Sequence, residues 1–222
     1  MLVKDLADHN IKPLSASCSV EEAMGAMESS SQPLLPLVDP KTNRFAGMVS
    51  RNTLEQHRDS DIRIYELREE HPAVALSNQN IFDTARQMEK SGVSVIPIIE
   101  PDNQYLGMVD MNRLFDRIVR VFNLTEYGSV LTVHFKERDF TLSKLVHIIE
   151  SEGGLIMGLG VDSPRDNQPF YIVTIKINLS DPSRIVSSLK RHSYIVDAHS
   201  VDGQDTRHYE DRADELMHYL NI

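Results

Sequence analysis

The sequence predicts an α+β chain: two βαββα repeats, a βαββαβ unit after them, and a closing helix. Three observations carry this. The first half of the 222-residue chain superposes on itself at an offset of 61. Within that half, helically spaced apolar residues and short apolar runs follow one another in the same order twice. From Ser129 the apolar pattern changes to a different alternation of strands and helices.

The repeat is read directly from the residues. Val3-x-Asp5-Leu6 falls on Ile64-x-Glu66-Leu67, and Val20, Met27 and Glu28 fall on Ile81, Met88 and Glu89. Leu35-Pro36-Leu37-Val38 falls on Ile96-Pro97-Ile98-Ile99. Past a loop the offset becomes 60, placing Gly47-Met48-Val49 on Gly107-Met108-Val109 and Leu54 on Leu114. Ser19 and Asn80 suit helix N-caps ahead of Val20, Ala23, Met24, Met27 and of Ile81, Thr84, Ala85, Met88. Leu34–Val38 and Val93–Ile99 read as buried strands, each followed by a polar turn, a strand ending in Gly-Met-Val, and a helix. The proline in each run requires an edge position or an unpaired backbone group. A copy of about 55 residues buries too little surface to stand alone, so the two are expected to stack as one module.

This βαββα repeat resembles a CBS domain, and the two copies resemble a tandem CBS pair, or Bateman module, over about residues 1–122. After Ser129, Val130–Phe135 alternates, and Leu142, Leu145, Val146 and Ile149 mark an amphipathic helix ended by Gly153-Gly154. Leu155–Val161 and Tyr171–Ile177 read as strands, Asp181-Pro182 opens a further helix, and Tyr194–Ala198 is the last strand. That order is the ferredoxin-like plan. After a CBS pair it resembles an ACT domain, and the whole is similar to the bacterial CBS–ACT proteins of the acetoin utilisation protein B type. The expected boundaries are 1–60 and 61–122 for the repeats, 128–202 for the ACT-like domain and 205–222 for the closing helix. Tyr209, Ala213, Leu216 and Leu220 give that helix an apolar stripe, to be buried on its own domain or in a dimer.

Composition narrows function by exclusion. Lys plus Arg is 23 against 33 Asp plus Glu, a net charge of -10, which argues against nucleic acid and anionic membrane as partners. Lys4, Asp5 and Asp8 stand where a signal peptide needs an apolar stretch, so a cytoplasmic location is expected. The nine histidines form no metal-binding pair of recognised spacing, and the single Cys18 permits no disulfide or CxxC site. No catalytic constellation emerges, and a non-enzymatic role is expected.

What the resemblance implies is ligand binding: an adenosine nucleotide (AMP, ADP or ATP) or S-adenosylmethionine in a CBS cleft. Backbone at the first strand, at Leu14 and Ala75, would meet the adenine, and the strands bearing Pro36 and Pro97 would wall it. In the family a Thr/Ser closing Gly-h-h-T/S-x-x-D meets phosphate and the Asp takes the ribose hydroxyls. Here the first copy reads Gly47-Met48-Val49-Ser50-Arg51-Asn52-Thr53, keeping the hydroxyl but replacing the ribose carboxylate by Thr53. The second reads Gly107-Met108-Val109-Asp110-Met111-Asn112-Arg113, so Asp110 would repel phosphate and Arg113 would pair with phosphate or with Asp110. The first copy is the better nucleotide candidate, with Arg51 and Arg113 the available cations. The ACT resemblance would place a glycine turn after the first strand for an amino-acid ligand, but Glu137-Arg138-Asp139-Phe140-Thr141 has none. The leading expectation is a homodimeric regulatory sensor of a small molecule, its signal relayed through Asn112–Tyr127. The alternative is a structural dimerisation or protein-partner module with vestigial clefts.

Overall fold

The computed structural model describes residues 1–30, 32–58, 62–69, 71–136, 141–165 and 170–199. The expected closing helix and residues 137–140 of the glycine-less turn lie outside them. The chain divides into two compact units, Met1–Arg117 and the part from Ile118 onward.

In the first unit each repeat has a leading 3-10 turn, Val3–Leu6 or Ile64–Leu67. The first repeat then runs β1 (Leu14–Ser15), α1 (Val20–Ser30), β2 (Leu34–Val38), β3 (Phe45–Ser50) and α2 (Arg51–Gln56). The second runs β4 (Ala75–Leu76), α3 (Ile81–Ser91), β5 (Val95–Ile99), β6 (Tyr105–Asp110) and α4 (Met111–Val121). Ser19 and Glu22 form a reciprocal capping box at the start of α1, and Asn80 accepts from the Phe82 N–H at 3.0 Å to open α3. β5 starts at Val95 rather than Val93 because Gly92, at φ 65, ends α3 and the Val93 N–H donates back to the Met88 carbonyl.

The sheets β1-β2-β3 and β4-β5-β6 have the same order, with a parallel first pair and an antiparallel second. The proline-bearing strands are therefore central, not edge strands. β1 pairs only with Leu37 and Val38, and β4 only with Ile98 and Ile99, so Pro36 and Pro97 lie beyond the short partner strands. A residue without an N–H is tolerated there because no ladder bond is lost.

The repeats are interlocked by backbone. Asp8, after the first leading turn, bonds in both directions with Met108 of β6, while Glu69, after the second, donates to Met48 of β3 at 2.7 Å. The hairpin tips repeat this reciprocity: Asn43 Nδ2 donates to the Tyr105 carbonyl and Asn103 Nδ2 to the Phe45 carbonyl. Both asparagines are left-handed, at φ 55 and 70, a conformation that Asn tolerates through its short amide. Asn103→Ala removes the cross-tip bond and leaves a Cβ in a strained conformation. It is expected to lower stability by about 1–2 kcal/mol in urea denaturation, with Asn103→Gly costing less.

The second unit contains β7 (Ser129–Phe135), α5 (Leu142–Ser151), β8 (Ile156–Asp162), β9 (Tyr171–Ile177), α6 (Ser183–Arg191) and β10 (Ile195–His199). Its sheet is antiparallel throughout in the order β10-β7-β9-β8, the ferredoxin-like arrangement. Leu131, Val133 and Phe135 of β7 are buried with Leu145 and Ile149 of α5 and Ile185 and Leu189 of α6. Gly154 is where α5 turns back, and a Cβ there would lie 2.8 Å from the Ile185 side chain, so this glycine serves close packing. Asp181 accepts from the Ser183 N–H at 3.0 Å, and the helix begins at Ser183, after Pro182.

Candidate functional site

The Gly-Met-Val glycines mark where the repeats cross. A Cβ on Gly47 would lie 2.9 Å from the Glu69 carbonyl and 3.0 Å from Arg68 Cδ. A Cβ on Gly107 would lie 3.0 Å from the Asp8 carbonyl and 3.1 Å from Ala7 Cβ. The leading segment of one repeat thus lies directly on the last strand of the other. It then continues into its own repeat's first strand: Asp8 leads to Leu14, and Glu69 leads to Ala75.

The strand that carries each Gly-Met-Val is thus covered by the leading segment of the other repeat. Ser50 and Thr53 lie at the start of α2 and Asp110 and Arg113 at the start of α4, while Leu14 and Ala75 open β1 and β4, and Pro36 and Pro97 lie in β2 and β5.

In the Asp110 cleft, Arg113 Nη2 donates to Asp8 Oδ2 at 2.7 Å, a pair joining the two repeats. Asp110 Oδ1 accepts from the Arg113 N–H at 2.8 Å, so its carboxylate caps α4 and is not the partner of the guanidinium. Tyr105, buried, donates its hydroxyl to the Ile11 carbonyl at 3.3 Å, and His9 Nδ1 bonds the Leu106 carbonyl at 2.9 Å. Burial, and then the neighbouring Asp8 charge, raise the Tyr105 phenol far above its ordinary value, so it remains a donor.

In the Ser50 cleft, Ser50 Oγ accepts from the Thr53 N–H at 3.0 Å and lies 2.7 Å from Thr53 Oγ1. Arg51 Nη2 donates to the Met27 carbonyl at 2.8 Å, at the end of α1. The cation beside β3 is Arg68, which crosses at Gly47, donates to the Tyr65 carbonyl and lies 3.7 Å over the Tyr65 ring. Sequence reasoning misses Arg68 because it belongs to the other repeat.

Cys18 is half-buried against the core, and burial followed by the Glu22 charge raises its thiol, which disfavours the reactive thiolate. Among the described residues no group of three or more His, Cys, Asp or Glu could hold a metal ion. No helix among them is long and apolar enough to cross a membrane.

Residues 64–120, the second repeat, match the CBS domain family model. The first copy shares the element order, strand register and crossing of the second. Similar solved structures include a CBS domain pair/ACT domain protein from Thermotoga maritima, 16% identical, covering 54% of this chain and 98% of that one with a TM-score of 0.49. A putative acetoin utilization protein from Vibrio cholerae is 16% identical over 56% of this chain and 95% of its own, TM-score 0.49. CBSX2 is 18% identical over 54% of this chain and 97% of its own, TM-score 0.48. No curated protein matches the chain.

Proposed function

We propose that the CBS pair is a non-enzymatic regulatory module that takes an adenosine ligand (AMP, ADP, ATP or S-adenosylmethionine) in the Ser50 cleft. Occupancy would pass through residues 112–127 to the ferredoxin-like domain, read as ACT-like, or to a protein partner of a homodimer. The observation that carries this reading is the contrast between the clefts. At the Ser50 cleft two hydroxyls pair with each other, and hydroxyls exchange partners readily for a phosphate or ribose. Arg68 enters the same strand edge from the other repeat, and Pro97 leaves β5 backbone beyond the end of β4. The similar structure of CBSX2 is a complex with AMP; what supports a nucleotide here is the chain's own polar set. A ligand would shift the relay only by binding one arrangement better than another.

A second reading has its own observation. In the Asp110 cleft the ion pair between Arg113 and Asp8 satisfies the groups that would meet ribose or phosphate. That cleft suits a vestigial site, and a chain with both clefts closed would be a dimerisation or partner-binding module.

Thr53→Asp restores a carboxylate where the family takes the ribose hydroxyls, and a carboxylate suits the first turn of α2. In titration calorimetry with AMP, ADP, ATP, NADH and S-adenosylmethionine, this variant is expected to bind one of them about tenfold more tightly than the parent. If none of the five shifts the melting temperature of the parent at millimolar concentration and Thr53→Asp gains nothing, nucleotide sensing is wrong. An oligomer indifferent to all of them then supports the second reading.

A further inference from the structure

We infer that the chain pairs with a second copy of itself through the helical face of the second repeat, α3 and α4 meeting the same two helices about a two-fold axis. The repeat supplies its own control. Among the described residues the first repeat exposes no large apolar side chain after Met1, whereas the second exposes Tyr65, Leu76, Phe82, Met111 and Phe115. Three of these lie on its helices, with Phe115 62%, Phe82 44% and Met111 37% exposed. At the offsets that superpose the copies, Phe82 stands for Glu21, Met111 for Arg51 and Phe115 for Glu55. The helices themselves are seated alike. The Met111 N–H donates to the Ser94 carbonyl just after α3, as the Arg51 N–H donates to the Pro33 carbonyl just after α1, each at 2.9 Å. Large apolar side chains held at the surface in one copy and not in the other mark an interaction face.

Charge selects the occupant. The exposed charges of α3 are Asp83 and Glu89 against Arg86 and Lys90, so this helix meets its own copy without net repulsion. Arg86 and Asp83 already form a surface pair at 2.9 Å, which water weakens and a covering neighbour strengthens. By contrast α1 carries Glu21, Glu22 and Glu28 and no base, so two copies of it repel. Setting the second-repeat face on the first-repeat face of another copy would press Phe82 and Phe115 against Glu21 and Glu55. That arrangement desolvates carboxylates, and the one base on α1 and α2, Arg51, is bonded to the Met27 carbonyl. In a two-fold contact of like with like, each apolar residue is buried twice, and aromatic side chains carry much of the energy of such an interface.

The inference rests on the homodimer named above, for which it supplies the contact, and needs no nucleotide. Sedimentation of the full chain over a dilution series measures the dimer Kd. Phe82→Glu/Phe115→Glu gives the second repeat the residues of the first at two surface positions. It is expected to raise that Kd by at least about a hundredfold, while Glu21→Gln/Glu55→Gln leaves it within about threefold. Hydrogen exchange of the unaltered chain, above and below the Kd, gives a readout that does not depend on the variant folding. Protection is expected to rise with concentration at 82–90 and 111–117 and to stay constant at 20–30 and 51–56. A chain that is monomeric throughout overturns the inference and the homodimer together. A dimer that survives the double glutamate substitution, or protection gained at 20–30, overturns the inference and leaves the homodimer standing. Protection at 82–90 that ignores concentration also overturns it, since the chain's own residues then cover that face.

Discussion

Gly128→Ala is expected to destabilise the ferredoxin-like unit by about 3 kcal/mol or more, among the larger effects of a single methyl group. Gly128 is buried at φ 137, outside the regions that L side chains occupy, and a Cβ there would lie 2.0 Å from the Ile177 carbonyl. Ser129 is paired with Ile177 at the first rung between β7 and β9, so relief would require opening the centre of the sheet. Gly160→Ala is the internal control, because a Cβ there meets nothing within 4 Å and its change is expected to stay within about 0.5 kcal/mol. Urea denaturation of the two variants, followed by a probe in β9, checks the difference. Equal midpoints would refute the steric account.

Met108→Ala is expected to cost about 3 kcal/mol, within the span of roughly 2–5 for emptying a buried methionine site. More telling is where the loss appears. Met108 is fully buried in β6, yet it belongs to a core shared with Ile11, Leu14, Leu37 and Met48 of the first repeat. Its backbone is bonded both ways to Asp8. Hydrogen exchange should therefore lose protection in Leu34–Val38 and Val95–Ile99 together, as one cooperative unit. Loss confined to the second repeat would show that the copies fold separately.

The parts of the fold legible in the sequence are those written in local chemistry. Capping residues such as Ser19 and Asn80, the apolar periods of α1, α3 and α5, and the alternation of β7 each announce their element. The crossing is not legible, because a backbone bond between Asp8 and Met108 asks nothing of either side chain. Only Gly47 and Gly107 register it, and a glycine inside a strand serves a bulge or a bend equally well. The site residues are legible as types and not as partners. Ser50 and Asp110 read as ligand groups, and both are tied to the first turn of a helix. Arg51 reads as a cation for phosphate and is held by the Met27 carbonyl, a contact that depends on how α1 and α2 pack.

The reciprocal crossing also has a consequence for how the chain is made. Asp8 finds Arg113 across 105 residues, so the N-terminal turn, which bonds Ser77 and Gln79 earlier in the chain, completes its docking only when β6 and the start of α4 have left the ribosome. The entropy of closing so long a loop rises only as the logarithm of its length, while the rate falls with such distant contacts. Earlier in synthesis the nascent first repeat holds a half-finished sheet edge at β3, until Glu69 has emerged to bond Met48. Synthesis of the second copy completes the first.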